Sequence, residues 1–249
     1  MDPQHNPVRG KQIYEGKAKR VYETDSPGHV IFEYKDDATA YNGQKHEVFQ
    51  GKGVLNNALS SHFFTLLANQ GIENHFVRTL SEREQLVRAV QIVPLEVVVR
   101  NRAAGSMSKK LGIEEGTELR CTVLELCYKR DELGDPVIGI HHAVAIGLGS
   151  YAEIEWMERS AREVNMVLSG IFDSIGIELI DFKLEFGRLP DEQGRLVLAD
   201  EISPDTCRLW DRKTGERLDK DRFRRDLAPL LDGYREILGR LTQTAGGTT

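Results

Sequence analysis

From Ile180 to Phe186 apolar and polar residues alternate one for one, in the segment LIDFKLEFG (179–187). A mostly apolar run ending in acids, LVLADEISP (196–204), follows, and PDEQGR (190–195) between the two carries turn chemistry. Successive side chains of a strand point to opposite faces. The pattern therefore predicts a hairpin with Asp181, Lys183 and Glu185 on one face and Phe182, Leu184 and Phe186 on the other. In a regular strand only one of Asp200 and Glu201 shares the charged face.

Upstream, IVPLEVVVR (92–100) reads as a nearly continuous apolar strand, with Pro94 placing a bend near its start. Val54, Leu55, Leu59, Phe63, Leu66 and Leu67 recur at helical spacing over Lys52–Asn69, stopped by Gly71. Ser150 caps a longer helix, Tyr151–Ser174, with Ile154, Ala161, Val164, Leu168 and Ile171 inward and Gly176 at its end. A last helix over 219–241 is interrupted or kinked at Pro229. Ser81 and Glu84 form a capping-box pattern that predicts a short helix to about residue 90. Residues 11–24 and 29–35 read as paired strands around a turn at 25–28, and 121–140 as strand with a turn at Gly134–Pro136. Residues 36–50 show no clean period and are expected to be loop.

Strands first and helices later predict an α+β fold with two lobes. A small β-rich lobe spans residues 11–93 and a mixed lobe 94–241, hinged near Val93 and Pro94. Residues 1–10 and 242–249 read as loose tails.

The 249 residues carry 33 basic and 39 acidic side chains, a net charge of −6, which argues against a nucleic-acid coat while permitting a local basic pocket. No apolar run approaches the roughly 18 residues of a membrane span, and the first residues lack the apolar stretch of a signal peptide. Cys121, Cys127 and Cys207 show no CxxC spacing, so neither a disulfide framework nor a zinc site is supported, and a reducing cytoplasm is expected. A homo-oligomer is compatible with all of this.

Several segments carry chemistry. Acids gathered around one lysine on the hairpin repel one another unless a cation joins them, and oxygen-only ligation suits Mg²⁺; the plain alternative is a solvated charged face. IYEGKAKRVY (13–22) places a glycine and two lysines in a tight strand–turn–strand suited to phosphate oxygens, without the GxxxxGK[ST] of a P-loop. A basic surface hairpin is its plain reading. VVVRNRAAGS (97–106) delivers Arg100 and Arg102 at a strand end, then small residues and Ser106. Arginine's planar fork matches phosphate and carboxylate, and a salt-bridged strand end is the alternative. Arg208 returns toward the same region. His141 and His142, expected on a strand and pointing opposite ways, read as structural. Lysines for a polyphosphate, arginines for a second anion and carboxylates for Mg²⁺ together favour ATP-dependent chemistry over simple binding.

YEGKAK (14–19), VVVRNRAAGS (97–106), DFKLEFG (181–187) and ADEISPDTCRLWD (199–211) in this order resemble the SAICAR synthetase family, over residues 11–241. The resemblance implies a two-lobed fold with an ATP cleft between the lobes. It also implies an amide-forming ligase of purine biosynthesis that uses ATP and Mg²⁺. Such a ligase joins the carboxylate of carboxyaminoimidazole ribonucleotide (CAIR) to the amine of L-aspartate through an acyl phosphate. It gives Lys17, Lys19 and Glu185 to ATP, with adenine at the bend around Val93, and Glu185 and Asp200 to Mg²⁺. Arg100, Ser106 and Arg208 go to the ribose phosphate or substrate carboxylates, and Asp181 and Lys183 lie beside the reacting groups. A loop carrying Asn42 covers the site, and Asp135 lies near the imidazole. VIGIHH (137–142) departs from the more acidic, amide-rich stretch of other members. A kinase-like phosphotransferase would show HRD and DFG motifs, both missing from this chain. A nucleotide or metal sensor would not need lysines, arginines and carboxylates together.

Overall fold

The computed structural model describes residues 6–41 and 43–245. Asn42 and the outer parts of the two expected tails, 1–5 and 246–249, lie outside the described residues; residues 9–10 already belong to a strand and 242–245 to a helix.

Three antiparallel strands open the chain: β1 (Arg9–Glu15), β2 (Lys19–Thr24) and β3 (His29–Tyr34). The small hairpin β4 (Asp37–Ala40) and β5 (Lys45–Val48) leads into α1 (Lys52–Asn69); β6 (Phe76–Thr79) and β7 (Glu84–Arg88) then complete a five-stranded sheet ordered β1-β2-β3-β7-β6. The second half comprises β8 (Gln91–Arg102), α2 (Gly105–Leu111), β9 (Glu118–Tyr128), β10 (Val137–Ile138), α3 (Ile140–Ala145), α4 (Tyr151–Ser174), β11 (Ile177–Arg188), β12 (Leu196–Ala199), β13 (Cys207–Asp211), α5 (Asp221–Arg224) and α6 (Leu230–Ala245). Its large sheet runs β10-β9-β8-β11-β12, with β13 also paired to β11. This is the α+β architecture the element order predicts.

β11 is the axis of the large sheet, flanked by β8 from Asp181↔Arg100 to Arg188↔Gln91 and by β12 from Glu185↔Ala199 to Arg188↔Leu196. Phe182, Leu184 and Phe186 are buried in one continuous core with Val97 and Val99 of β8 and with Ile154, Ala161, Val164 and Leu168 of α4. Leu59, Phe63 and Leu67 of α1 join the same core. Apolar burial on this face leaves the polar positions of β8, β9 and β11 together on the other, where the site forms. The division expected at 93/94 falls inside β8, and Pro94 lies where the β8–β11 register slips between Glu185 and Gly187. A residue without an N–H is tolerated at such an irregularity.

Three local expectations change. Within 36–50, expected to be loop, Asp37↔Val48 to Ala40↔Lys45 pair as β4–β5. The inward side chains are only Ala38 and Ala40, buried against Phe223, Leu230 and Tyr234, too small to mark a period. Ser81 does bond Glu84, Oγ to Oε2 at 3.1 Å, but in the turn that enters a strand rather than a helix. Gln85, Leu86 and Val87 follow, all buried and paired with β3 and β6. His141 and His142 lie on helix α3, not a strand, and His141 Nδ1 meets the Tyr151 hydroxyl at 2.8 Å. The last helical segment is interrupted at Pro229 as expected, splitting into α5 and α6, and the Pro229 carbonyl accepts from Arg222. The three cysteines are free thiols, two of them buried. Among the described residues no helix is long and apolar enough to cross a membrane.

Candidate active site

The charged face of β11 meets Glu96 of β8, directly across the ladder from Glu185. Lys183 Nζ donates to both, at 2.8 Å to Glu96 and 2.9 Å to Glu185. Lys129, one residue past β9, donates to the other Glu185 oxygen. Lys19, the first residue of β2, reaches in from the smaller sheet, 2.6 Å from Asp200 and 3.4 Å from Glu201. Three lysines thus hold four carboxylates.

Strand parity does not limit Asp200 and Glu201, because β12 ends at Ala199 and Asp200 takes a left-handed conformation, φ 63°. The chain turns there and presents both acids to Lys19. Burial works against a charged Asp200, yet Lys19, Lys183 and Lys129 together hold its carboxyl well below the usual range. Burial likewise opposes the Lys19 ammonium, and Asp200 and Glu201 more than offset it, raising its pKa. Glu201 moves the other way: burial pushes it up, and Asp200 and Asp205 add to the rise against the opposing pull of Lys19. Lys17, in the β1–β2 turn, pairs instead with Asp131 at 2.6 Å on the surface beyond β9.

Next to this cluster lies an arginine cage. Arg100, 4% exposed, donates to Asp181 at 2.7 Å, to the Ser106 hydroxyl at 3.0 Å and to Glu125 at 2.8 Å. Arg208 donates to both Asp181 oxygens, at 3.0 and 2.8 Å, and to Asp221 at 3.1 Å. Ser106 is inside α2 rather than before it, and Gly105 opens that helix with φ +56°. A Cβ on Gly105 would come within 2.5 Å of the Arg208 guanidinium, so glycine is what lets the two meet. A cavity joins the two halves, walled by Glu96, Lys183, Arg100, Asp181, Arg208 and Lys220.

The expected residues are therefore mostly, but not wholly, convergent. Lys19, Lys183, Glu185 and Asp200 form one group; Arg100, Ser106, Arg208 and Asp181 form the other. Asp181 shares its face with Lys183, as the alternation implies, but its carboxylate turns to the two guanidiniums. Val93 is fully buried, main chain included, and does not line the cavity. Asp135, φ 48°, accepts from the Arg130 N–H within its own turn and does not line the cavity. Asn42 lies outside the described residues.

Glu96 and Lys129 escaped the sequence reading. Glu96 had a signal: it is the lone charge inside an apolar strand, in phase with Arg100. Lys129, Lys220 and Asp205 had none, because their partners come from distant segments. Glu185 and Asp200 offer the hard oxygen donors that Mg²⁺ takes. No group of three acidic, histidine or cysteine side chains poised for a metal exists among the described residues, so phosphate oxygens would complete a shell begun by these two.

A lysine–carboxylate cluster abutting an arginine cage, on one face of an α+β scaffold, defines a nucleotide-using enzyme that handles a second anionic substrate. The family model described as SAICAR synthetase matches residues 12–241. Phosphoribosylaminoimidazole-succinocarboxamide synthase of Fusobacterium nucleatum is 54% identical over 235 residues, 94% of this chain and 98% of that protein. Its counterpart from Clostridium acetobutylicum is 56% identical over 93% of this chain and 97% of its own length. The crystal structure of the Ehrlichia chaffeensis synthase superposes with a TM-score of 0.91 at 46% identity, covering 93% of this chain and 98% of that one. A SAICAR synthetase in complex with ADP gives 0.88 at 49% identity, covering 92% and 97%. The chain belongs to the SAICAR synthetase family, ATP-dependent ligases of purine biosynthesis that act on small molecules.

Proposed function

We propose that the chain condenses the carboxylate of CAIR with the amine of L-aspartate in two steps. In the first, the γ-phosphoryl group of ATP passes to a carboxylate oxygen of CAIR, and its bond to ADP breaks as the new P–O bond forms. In the second, the aspartate amine attacks the acyl carbon, phosphate leaves with the electron pair of the C–O bond, and the amine gives up its proton. A carboxylate is a poor electrophile and its acyl phosphate is a good one, which is why ATP is needed.

The observation that carries this reading is one cavity whose wall holds Lys183 and Glu96, the near edge of the cluster that also includes Lys129, beside the Arg100–Arg208 cage. Phosphoryl transfer crowds anionic oxygens, and fixed cations stabilise that charge in a water-poor cleft. Lys17 and Lys19 take the ATP phosphates, and the bend around Val93 meets adenine. Glu185 and Asp200, whose carboxylates now pair with lysines, would hold Mg²⁺, and the ion would supply further neutralisation of phosphate charge. Lys183 stays at the transfer site. Arg100, Ser106 and Arg208 hold CAIR through its phosphate, and Asp181 fixes both guanidiniums. Asp135, held within its own turn, makes no substrate contact in this reading. Free thiols accord with a reducing cytoplasm.

The test is an assay of ADP release with ATP, Mg²⁺, CAIR and L-aspartate. Release is expected only when both co-substrates are present; release indifferent to either one overturns the reading.

A further inference from the structure

Lys220 immediately precedes α5 and lines the cavity, yet its side chain is only 13% exposed. Among the described residues its ammonium donates no hydrogen bond, and the one carboxylate within 4.0 Å is Asp205, at 3.8 Å. Asp205 is already engaged. One of its oxygens accepts from Lys52 and, at 3.1 Å, from Asn56; the other accepts from the Tyr234 hydroxyl. Lys52 itself is fully buried. Two ammonium groups therefore share one carboxylate, and the one facing the cavity is the more distant of the two and donates no hydrogen bond among the described residues. Arg224, paired to Asp221 at 2.6 Å, lines the same wall and adds to the positive field. Burial lowers the Lys220 pKa, and Lys52 and Arg224 push it the same way. A largely desolvated cation lining a substrate cavity, whose one carboxylate lies at 3.8 Å and is already engaged elsewhere, suits an anion from the ligand.

We propose that Lys220 is the anchor for a carboxylate of L-aspartate. The inference rests on the ligase reading above and assigns the amine donor its place within it. CAIR brings two anionic groups to the site, a ribose phosphate and the reacting carboxylate, separated by the ribose and the imidazole. The arginine cage with the Ser106 hydroxyl suits the phosphate. The amine must approach the activated carboxylate, beside the lysines that serve phosphoryl transfer. Lys220 is on that side: Glu201 is among its electrostatic partners, and Glu201 is 3.4 Å from Lys19. Lys52, Asn56 and Tyr234 act behind it as positioning residues by fixing Asp205.

The experiment is steady-state kinetics of wild type, Lys220→Met and Lys220→Arg, varying each substrate in turn. Loss of a charge-assisted hydrogen bond predicts a rise of roughly 10- to 100-fold in the aspartate KM of Lys220→Met, with the KM values for CAIR and ATP within about threefold. Lys220→Arg recovers part of the loss. Thermal stability of Lys220→Met stays at or above that of wild type, since a largely desolvated ammonium is removed. An unchanged aspartate KM, or a CAIR KM that rises as much, overturns the assignment. Should the methionine variant fail to fold, Lys220→Arg alone must move the aspartate KM and spare that of CAIR. A wild-type enzyme whose ADP release ignores aspartate or CAIR would strike the ligase reading instead.

Discussion

Asp181 shows how far a residue's role depends on what reaches it. Period-two alternation correctly sets Asp181, Lys183 and Glu185 on one face, but Asp181 bonds two arginines from β8 and β13 while Lys183 bonds two glutamates. Alternation fixes direction; it carries no information about partners 81 or 87 residues away. The same limit hid Lys129 and Lys220. The Asp200–Glu201 pair misled for a different reason: parity holds only while the strand lasts, and a left-handed residue ends it. Two outcomes follow at this scale. Gly105→Ala should displace the Arg208 guanidinium and strain a positive-φ position by about 1 kcal/mol. The CAIR KM is expected to rise roughly tenfold or more, with the ATP KM little changed; equal changes in both would remove Gly105 from the anion cage. Glu185→Gln should raise the Mg²⁺ concentration for half-maximal activity by about tenfold, the order seen when one charged contact is lost. Circular dichroism and the thermal midpoint should stay near wild type. A Mg²⁺ titration superimposable on wild type would take Glu185 out of the metal shell.

Among elements, the contrast between two capping boxes explains what the sequence could deliver. Ser150 caps 24 helical residues with a sustained apolar stripe, Glu153 lies in their first turn, and α4 forms with the bounds the pattern predicts. Ser81 and Glu84 make the same local bond, but a buried Gln85-Leu86-Val87 run follows and tertiary pairing takes it into β7. A cap announces a helix only if a periodic face follows it. At α4 the Glu153 carboxylate accepts from the Ser150 N–H at 2.7 Å and from Arg188 on β11, so the cap also ties the helix to the sheet. The Arg188 hydrogen bond, helped by those from Ser150, holds the Glu153 carboxyl down to about 2 from an ordinary 4.5. A depressed carboxyl contributes stability that is fully present above the unfolded value and lost as pH falls through the folded one. Between pH 4.5 and 2, wild type should therefore lose about 1–2 kcal/mol that Glu153→Gln does not lose, after allowing for water screening at a side chain 27% exposed. Urea denaturation across that range checks it, and parallel pH profiles for the two proteins would refute the linkage. Ser150→Ala, at neutral pH, should cost about 1 kcal/mol.

For the whole molecule, strands followed by helices was enough to read the α+β class, but not the order of strands or the sharing of one core by both halves of the chain. α1 belongs to the N-terminal half in sequence, yet its apolar face packs into the large-sheet core and its first turn meets the C-terminal helix through Asp205. Lys52 is buried completely, with its ammonium on the Asp205 carboxylate that Tyr234 of α6 also holds. This contact crosslinks the first turn of α1, the loop after β12 and the C-terminal helix behind the cavity. Breaking one side of such a pair leaves a buried charge without its partner, which costs more than the pair itself contributes. Lys52→Met should therefore destabilise the protein by about 3–5 kcal/mol, although Lys220 softens the loss by remaining near Asp205. Removing the stranded charge as well, in Lys52→Met with Asp205→Leu, should recover much of that energy while abolishing the positioning of Lys220. Urea denaturation of wild type, single and double variants closes the cycle. A double variant no more stable than the single one would mean that Lys52 acts through packing of its stem, and that the network behind the cavity is not held by charge.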